Sequence, residues 1–174
     1  RFCTNSVNGV SQGSFMPDIW YGGALKIDES TADAFKGCKV DAVNFTLGST
    51  SAKDVEVFIT RGLKETPIWS ATVSPQSPGS PQSVKVDEAF EIDGAFFVGY
   101  KLKEPSGFCS PLSFDFQNGS PFCHNSYYAI ASSSALLSDE WTESNDILGN
   151  VSIGCSISGD IPAAYAVPVG VSFE

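Results

Sequence analysis

Val40-Asp41-Ala42-Val43-Asn44-Phe45-Thr46-Leu47 and Val55-Glu56-Val57-Phe58-Ile59-Thr60 decide the fold class. In the first stretch Val43, Phe45 and Leu47 fall on one face; in the second Val55, Val57 and Ile59 alternate with Glu56, Phe58 and Thr60. Successive side chains of a strand point to opposite faces, so a period of two writes a half-buried β-strand. The cluster at 48–53 reads as a turn, and the two stretches together as a β-hairpin.

The same pattern extends outward. Residues 19–27 read as a strand with a glycine kink at Gly22-Gly23. Residues 30–37 read as one short helical turn near 31–36, with Ser30 placed to cap it, Asp33 at the capping-box position and Gly37 to end it. Residues 68–73 form another short strand. The segment 74–83, rich in proline and serine, reads as a loop without a large side chain to anchor a ligand. Apolar runs at 84–86 and 90–92 flank Asp87-Glu88, and Asp93-Gly94 signals a tight turn. Ala95-Phe96-Phe97-Val98-Gly99-Tyr100-Lys101-Leu102 is the most apolar strand and reads as central. Residues 127–131, a stretch around Trp141, 151–158 and 165–173 complete the strands. Short strands separated by turns, with one short helix, imply an all-β fold: an antiparallel two-sheet β-sandwich, jelly-roll-like. Residues 1–18 read as an N-terminal arm, 19–162 as the sandwich, and 163–174 as a C-terminal strand or lead into a following domain.

Composition limits the function. The chain has 174 residues, enough for one domain with a core, and a formal charge of −10. Phosphate binding needs a basic footprint, so nucleic acid is not an expected partner. No apolar run reaches the length of a membrane-spanning helix, and membrane insertion is not expected. No signal peptide stands at Arg1, so the sequence reads as a mature or excised piece. One histidine leaves little material for acid–base chemistry. His124 adjoins Cys123, but neighbours in an extended chain point to opposite faces and make no ready dyad.

Five cysteines occur, and no pair has the spacing of a zinc knuckle or redox motif. Cys109 and Cys123 flank a loop-rich stretch and are the candidate disulfide; a bridge there would stabilise by about 3 kcal/mol. The alternative is that each is a small apolar core residue. The odd count leaves at least one thiol outside any intrachain pair.

The large amphipathic aromatics are the candidate contact residues, because a sugar's C–H face stacks on an aromatic ring while nearby polar groups take its hydroxyls. Trp141 with Asp139 and Asn145 has that mixture, as does the pair Tyr127-Tyr128, which must place one ring on each face of a strand. The competing reading is core packing. Residues 103–126 and 138–150 are the longest irregular stretches. At one end of a sandwich they would form a common rim, holding Phe108, Phe122, His124 and Trp141. Acidic pairs such as Asp28-Glu29 and Asp87-Glu88 read as solvated charge, although paired carboxylates across a cleft hydrolyse glycosides. No cofactor is expected; calcium is the one ion that the oxygen-rich segment 138–146 would suit, and that segment matches no calcium-loop pattern.

The order of these motifs resembles the extracellular jelly-roll, cleaved-adhesin-like β-sandwich modules of gut and oral anaerobic Gram-negative bacteria, which accompany secreted proteases of the gingipain and streptopain kinds. The residues that carry the resemblance are the short helix ending in Lys36-Gly37, the strand from Val40 to Gly48, Val55-Glu56-Val57-Phe58-Ile59, the run from Val84 to Asp93, Phe96-Phe97-Val98-Gly99-Tyr100, and Ile157 to Pro162. Phe90 departs from a usual proline, and 105–146 lacks the usual glycine-rich stretch. The resemblance implies a secreted or cell-surface location on the outer-membrane exterior. It implies a non-catalytic adhesion or ligand-binding module that sits beside other domains of the same polypeptide and contacts a glycan or an extracellular protein. A carbohydrate-binding module of a glycan-processing enzyme is the alternative, and a small hydrolase using paired carboxylates the third reading. With a bacterial source, the N-x-S/T triplets at Asn44, Asn118 and Asn150 read as ordinary polar residues.

Overall fold

A computed structural model describes residues 10–115, 125–145 and 147–161. Twelve strands are defined in these residues. The first six are β1 (Val10–Ser14), β2 (Ile19–Ile27), β3 (Lys39–Ser49), β4 (Val55–Thr60), β5 (Trp69–Val73) and β6 (Pro81–Glu91). The others are β7 (Phe96–Glu104), β8 (Cys109–Asp115), β9 (Ser126–Ala131), β10 (Thr142–Glu143), β11 (Asn150–Val151) and β12 (Ile153–Ser158). Two short helices accompany them, α1 (Glu29–Ala34) and α2 (Ser134–Leu137). All pairings are antiparallel. One sheet runs β1-β8-β3-β12, with β11 on β8 and β6 on β3; the other runs β10-β9-β2-β7-β4-β5. The fold is therefore an all-β two-sheet sandwich.

The inward set follows the period of two. Val43, Phe45, Leu47, Val57, Ile59, Phe96, Val98 and Tyr100 are all buried and join one core. Phe45 of the first sheet meets Tyr100 of the second, ring centroids 5.3 Å apart. β7 is central as expected, between β2 and β4.

The expected hairpin is not formed. β3 pairs with β6, β8 and β12, whereas β4 pairs with β5 and β7. The chain crosses from one sheet to the other at residues 50–54. Both strands present an apolar face, and two such faces are buried equally well across a sandwich as within one sheet; local alternation does not distinguish the two. Asp93-Gly94 likewise links strands of opposite sheets, held by Arg61, which ion-pairs with Asp93 and donates to the Ala95 carbonyl at 2.9 Å.

Smaller differences have local causes. Asp28, not Ser30, caps α1, its carboxylate accepting from Thr31 N at 2.9 Å, and that bond holds its pKa below the usual carboxylate range. Gly37 follows the helix with φ +84°, the left-handed turn that glycine tolerates. α2, capped by Ser133, is a second helix that the apolar pattern did not signal. Residues 10–14, expected in the arm, form β1 on the edge of the first sheet. The expected strand at 165–173 lies outside the described residues.

Tyr100 illustrates the cost of a tight core. Its ring lies over Gly23, where an added Cβ would come within 2.8 Å of the ring. Its hydroxyl is buried with no partner among the described residues, and burial pushes its pKa up. Removing an orphaned hydroxyl relieves desolvation without losing a bond. Tyr100→Phe is therefore expected to raise stability by about 1 kcal/mol, or roughly 2–4 °C in melting temperature. Thermal denaturation checks this, and a lower melting temperature would show that the hydroxyl has a partner.

Candidate functional site

The outer face of the second sheet carries the candidate site. Its strands alternate, so Trp20, Gly22, Ala24 and Lys26 of β2 face outward while Tyr21, Leu25 and Ile27 face the core. From β7 come Phe97, Gly99, Lys101 and Lys103; from β4, Glu56, Phe58 and Thr60. Small residues line the middle of this face, and large rings fold onto them. A Cβ on Gly99 would lie 2.3 Å from the Phe58 ring, and one on Gly22 would lie 2.6 Å from the Trp141 indole. Trp141 also meets Phe58 edge-on at 6.3 Å. Trp20 and Trp141, both half-buried, pack on the same small cluster of Ala129, Ala131 and Leu137.

A groove of about 460 Å³ opens beside Trp20, with Lys101 and Lys103 in its floor and Asp54 and Glu56 along it. A narrower hollow of about 60 Å³ lies between Trp141, Phe58 and Leu63. Lys101 lines both, so the two adjoin across the sheet. Two lysines of the groove are ion-paired, Lys101 Nζ 3.2 Å from Glu56 and Lys103 Nζ 2.8 Å from Asp18, while Lys53 and Asp54 line it as one charge of each sign, unpaired among the described residues. The segment 74–83, read as a bare connector, is loop only to Ser80, because Pro81–Ser83 pair with β3 in a β6 that runs unbroken to Glu91; a cavity of about 580 Å³ beside it is walled by serine, glutamine, lysine and aliphatic side chains without an aromatic ring.

The sequence candidates separate. Trp141 and Tyr127 share the outer face. Tyr127 contacts Phe97 edge-on at 5.7 Å, and burial together with the nearby Glu143 carboxylate raises its pKa. Tyr128 points inward against Phe114 at 5.6 Å. Asp139 is exposed, ion-paired to Lys64 at 2.8 Å. The Asn145 side chain closes its own loop, its Oδ1 accepting from Ile147 N and Leu148 N, both at 3.0 Å.

Among the described residues the two stretches meet at one end, where Ser144 N donates to the Ser126 carbonyl at 2.7 Å and Asn150 pairs with Asp115, but residues 105–108 are not part of that rim. Residues 105–108 adjoin the Ile19 end of β2, through the pair Ile19 with Glu104. Residues 144, 145 and 147–149 lie at the opposite end, beside Ser126. Phe122 and His124 lie outside the described residues. Phe108 projects from the Ile19 end, 82 % exposed and edge-on to Phe15 at 5.4 Å.

Cys38, Cys109 and Cys155 carry free thiols; Cys123, the other half of the expected bridge, lies outside the described residues. Burial raises the pKa of both Cys109 and Cys155, the latter to about 12, and the Glu104 charge adds to the shift at Cys109. A thiolate is the nucleophilic form, so neither is an activated nucleophile. Among the described residues, no three His, Cys, Asp or Glu side chains converge as a metal site; Asp146 of the oxygen-rich segment lies outside them.

Trp20, Lys101, Lys103 and Glu56 did not stand out in sequence as a site. The available signal was Trp20 at an outward position of a strand whose next two outward residues, Gly22 and Ala24, are small. Comparison with protein-family models, curated proteins and solved structures finds no match for this chain.

Proposed function

We propose that this chain is a non-catalytic ligand-binding module of a secreted or cell-surface multidomain protein, and that it binds through the outer face of its second sheet. The observation that carries this reading is the groove beside Trp20. A concave site of several hundred Å³ with an aromatic wall and a few placed polar groups is the usual form of a binding site. A sandwich interior is committed to its core, which leaves loops and outer faces for recognition. The resemblance to adhesin-like modules supports the same class, and with it an extracellular ligand, either a glycan or a protein.

The test is binding of the labelled chain to a glycan array and to immobilised fibronectin and mucin, comparing the wild type with Trp20→Leu. Binding by the wild type that falls roughly thirtyfold in the variant is expected, as for a central aromatic anchor. Binding that is the same in both, or release of reducing ends when the chain is incubated with polysaccharides, overturns the reading. The second outcome would favour a hydrolase using Asp54 and Glu56, which line the same groove.

A further inference from the structure

We infer that the groove and the adjoining hollow take a neutral saccharide chain running along β2, with Trp20 and Trp141 stacking on successive sugar rings and the Lys101–Glu56 pair on the neighbouring strands hydrogen-bonding the hydroxyls beside them. This rests on the proposed binding face and names its ligand class. Three observations select the class.

The first is the disposition of the rings. Trp141 covers Gly22, two residues and therefore roughly 7 Å along β2 from Trp20. That step is on the scale of one pyranose unit. Both indoles are half-buried, so part of each is left to solvent. A flat ring of this kind offers area at low entropic cost and fits an apolar C–H face.

The second is charge. Lys101 and Lys103 each sit within ion-pair distance of a carboxylate, at 3.2 Å and 2.8 Å, and Lys53 and Asp54 of the lining, unpaired among the described residues, add one charge of each sign, so the groove has no net charge to select an ion. An anionic ligand would have to compete with Glu56 and Asp18 for these ammonium groups, and a cationic ligand with the lysines for the carboxylates. A hydroxyl competes with neither. It donates to the carboxylate and accepts from the ammonium, so an ammonium–carboxylate pair matches a sugar's vicinal hydroxyls.

The third is backbone. The floor strands β2, β7 and β4 are all internal to the sheet order β10-β9-β2-β7-β4-β5. Their main-chain donors and acceptors are spent on neighbouring strands. An extended peptide gains affinity from a free sheet edge, and over β2, β7 and β4 there is none; the edge is β5, which contributes Thr72 to the groove. A protein ligand seated over these three strands would thus be limited to side-chain contacts.

The experiment is isothermal titration and intrinsic tryptophan fluorescence with three soluble neutral polysaccharides, xyloglucan, galactomannan and mixed-linkage β-glucan, and with polygalacturonate as the anionic counterpart. At least one neutral polymer is expected to bind, with a loss of roughly thirtyfold in Trp20→Leu and in Trp141→Leu. Trp20→Tyr, which keeps a flat amphipathic ring, should retain most of the affinity, and Lys85→Ala, on the other sheet, all of it. Circular dichroism and melting of each variant separate lost binding from lost fold. Tighter Trp20-dependent binding of polygalacturonate overturns the neutral class while leaving the binding face in place. No binding by any of the four overturns the saccharide inference; Trp20-dependent capture of fibronectin would then preserve the broader reading. Binding unaffected by Trp20→Leu overturns both.

Discussion

Replacing Glu104 with alanine is expected to lower stability by about 3 kcal/mol, some 6–12 °C in melting temperature. Glu104 is 1 % exposed, at the end of β7. A buried carboxylate is tolerated only when its oxygens are satisfied. Here they accept from Thr50 Oγ1 at 2.7 Å, Ser51 N at 2.8 Å, Ser106 N at 2.9 Å, and from Ser51 Oγ. The crossover between β3 and β4 and the turn after β7 are thereby tied to one side chain. Alanine would leave two backbone N–H groups and two hydroxyls without their acceptor. Glutamine, which presents an amide donor to a ring of donors, is expected to cost about 2 kcal/mol.

The pH dependence follows from the same bonds. Burial alone would push the Glu104 carboxyl up, but the hydrogen bonds from Ser51, Thr50 and the Ser106 and Ser51 amides outweigh it and hold the pKa below the ordinary 4.5. A carboxylate whose pKa is lower folded than unfolded contributes stability that is fully present above the unfolded value and is lost as pH falls through the folded one. The margin of the wild type over Glu104→Gln should therefore hold from neutral pH to about pH 5 and shrink below 4.5. Asp28 and Asp87, whose pKa values are also lowered, chiefly by their bonds to Thr31 and to the Trp69 indole, leave an acid slope in both proteins. Urea unfolding at a series of pH values reads the margin. A margin that is constant down to pH 3, or absent at pH 7, would show that Glu104 is not ionised in the fold.

The second large effect is expected at Gly48, where alanine should cost about 3 kcal/mol, the upper range for overpacking. Gly48 is a buried residue near the end of β3, and a Cβ there would lie 2.1 Å from the Ser110 carbonyl oxygen and 2.8 Å from Ser11 Oγ. The first of these is backbone, which cannot rotate aside. Across β8, a Cβ on Gly13 of β1 would lie 2.0 Å from the Cys109 carbonyl oxygen. The start of β8 is thus clasped between two glycines, where β1 also shifts register between Gln12 and Ser14. Gly48→Ala must displace β8 from a central strand, whereas Gly13→Ala displaces an edge strand and is expected to cost less. Equilibrium unfolding of the two variants checks the order, and a Gly48→Ala protein within 0.5 kcal/mol of wild type would contradict it, since that is the range of surface changes.

By itself the sequence determined the strand faces and hence the class of fold. Alternation at Val43, Phe45 and Leu47, at Val57 and Ile59, and at Phe96, Val98 and Tyr100 records which side of each strand leaves water, and burial is set by that local pattern. It also placed Tyr127 and Tyr128 on opposite faces, because the period of two allows nothing else. Tertiary structure decided which strands pair. The stretch from Val40 to Ile59 carries the same pattern whether its halves are hydrogen-bonded neighbours or opposed across a core, and only the partners β6, β7 and β12, distant in sequence, separate the two. Tertiary structure also decided the candidate site. Trp20, Lys101 and Glu56 belong to three strands, and nothing in their local sequence records that register sets them side by side. Asn145 and Asp139, four and two positions from Trp141 in sequence, are held instead by a turn and by Lys64. A binding face on a sheet is made by residues related across strands, and that relation is a property of the register and not of the neighbouring sequence.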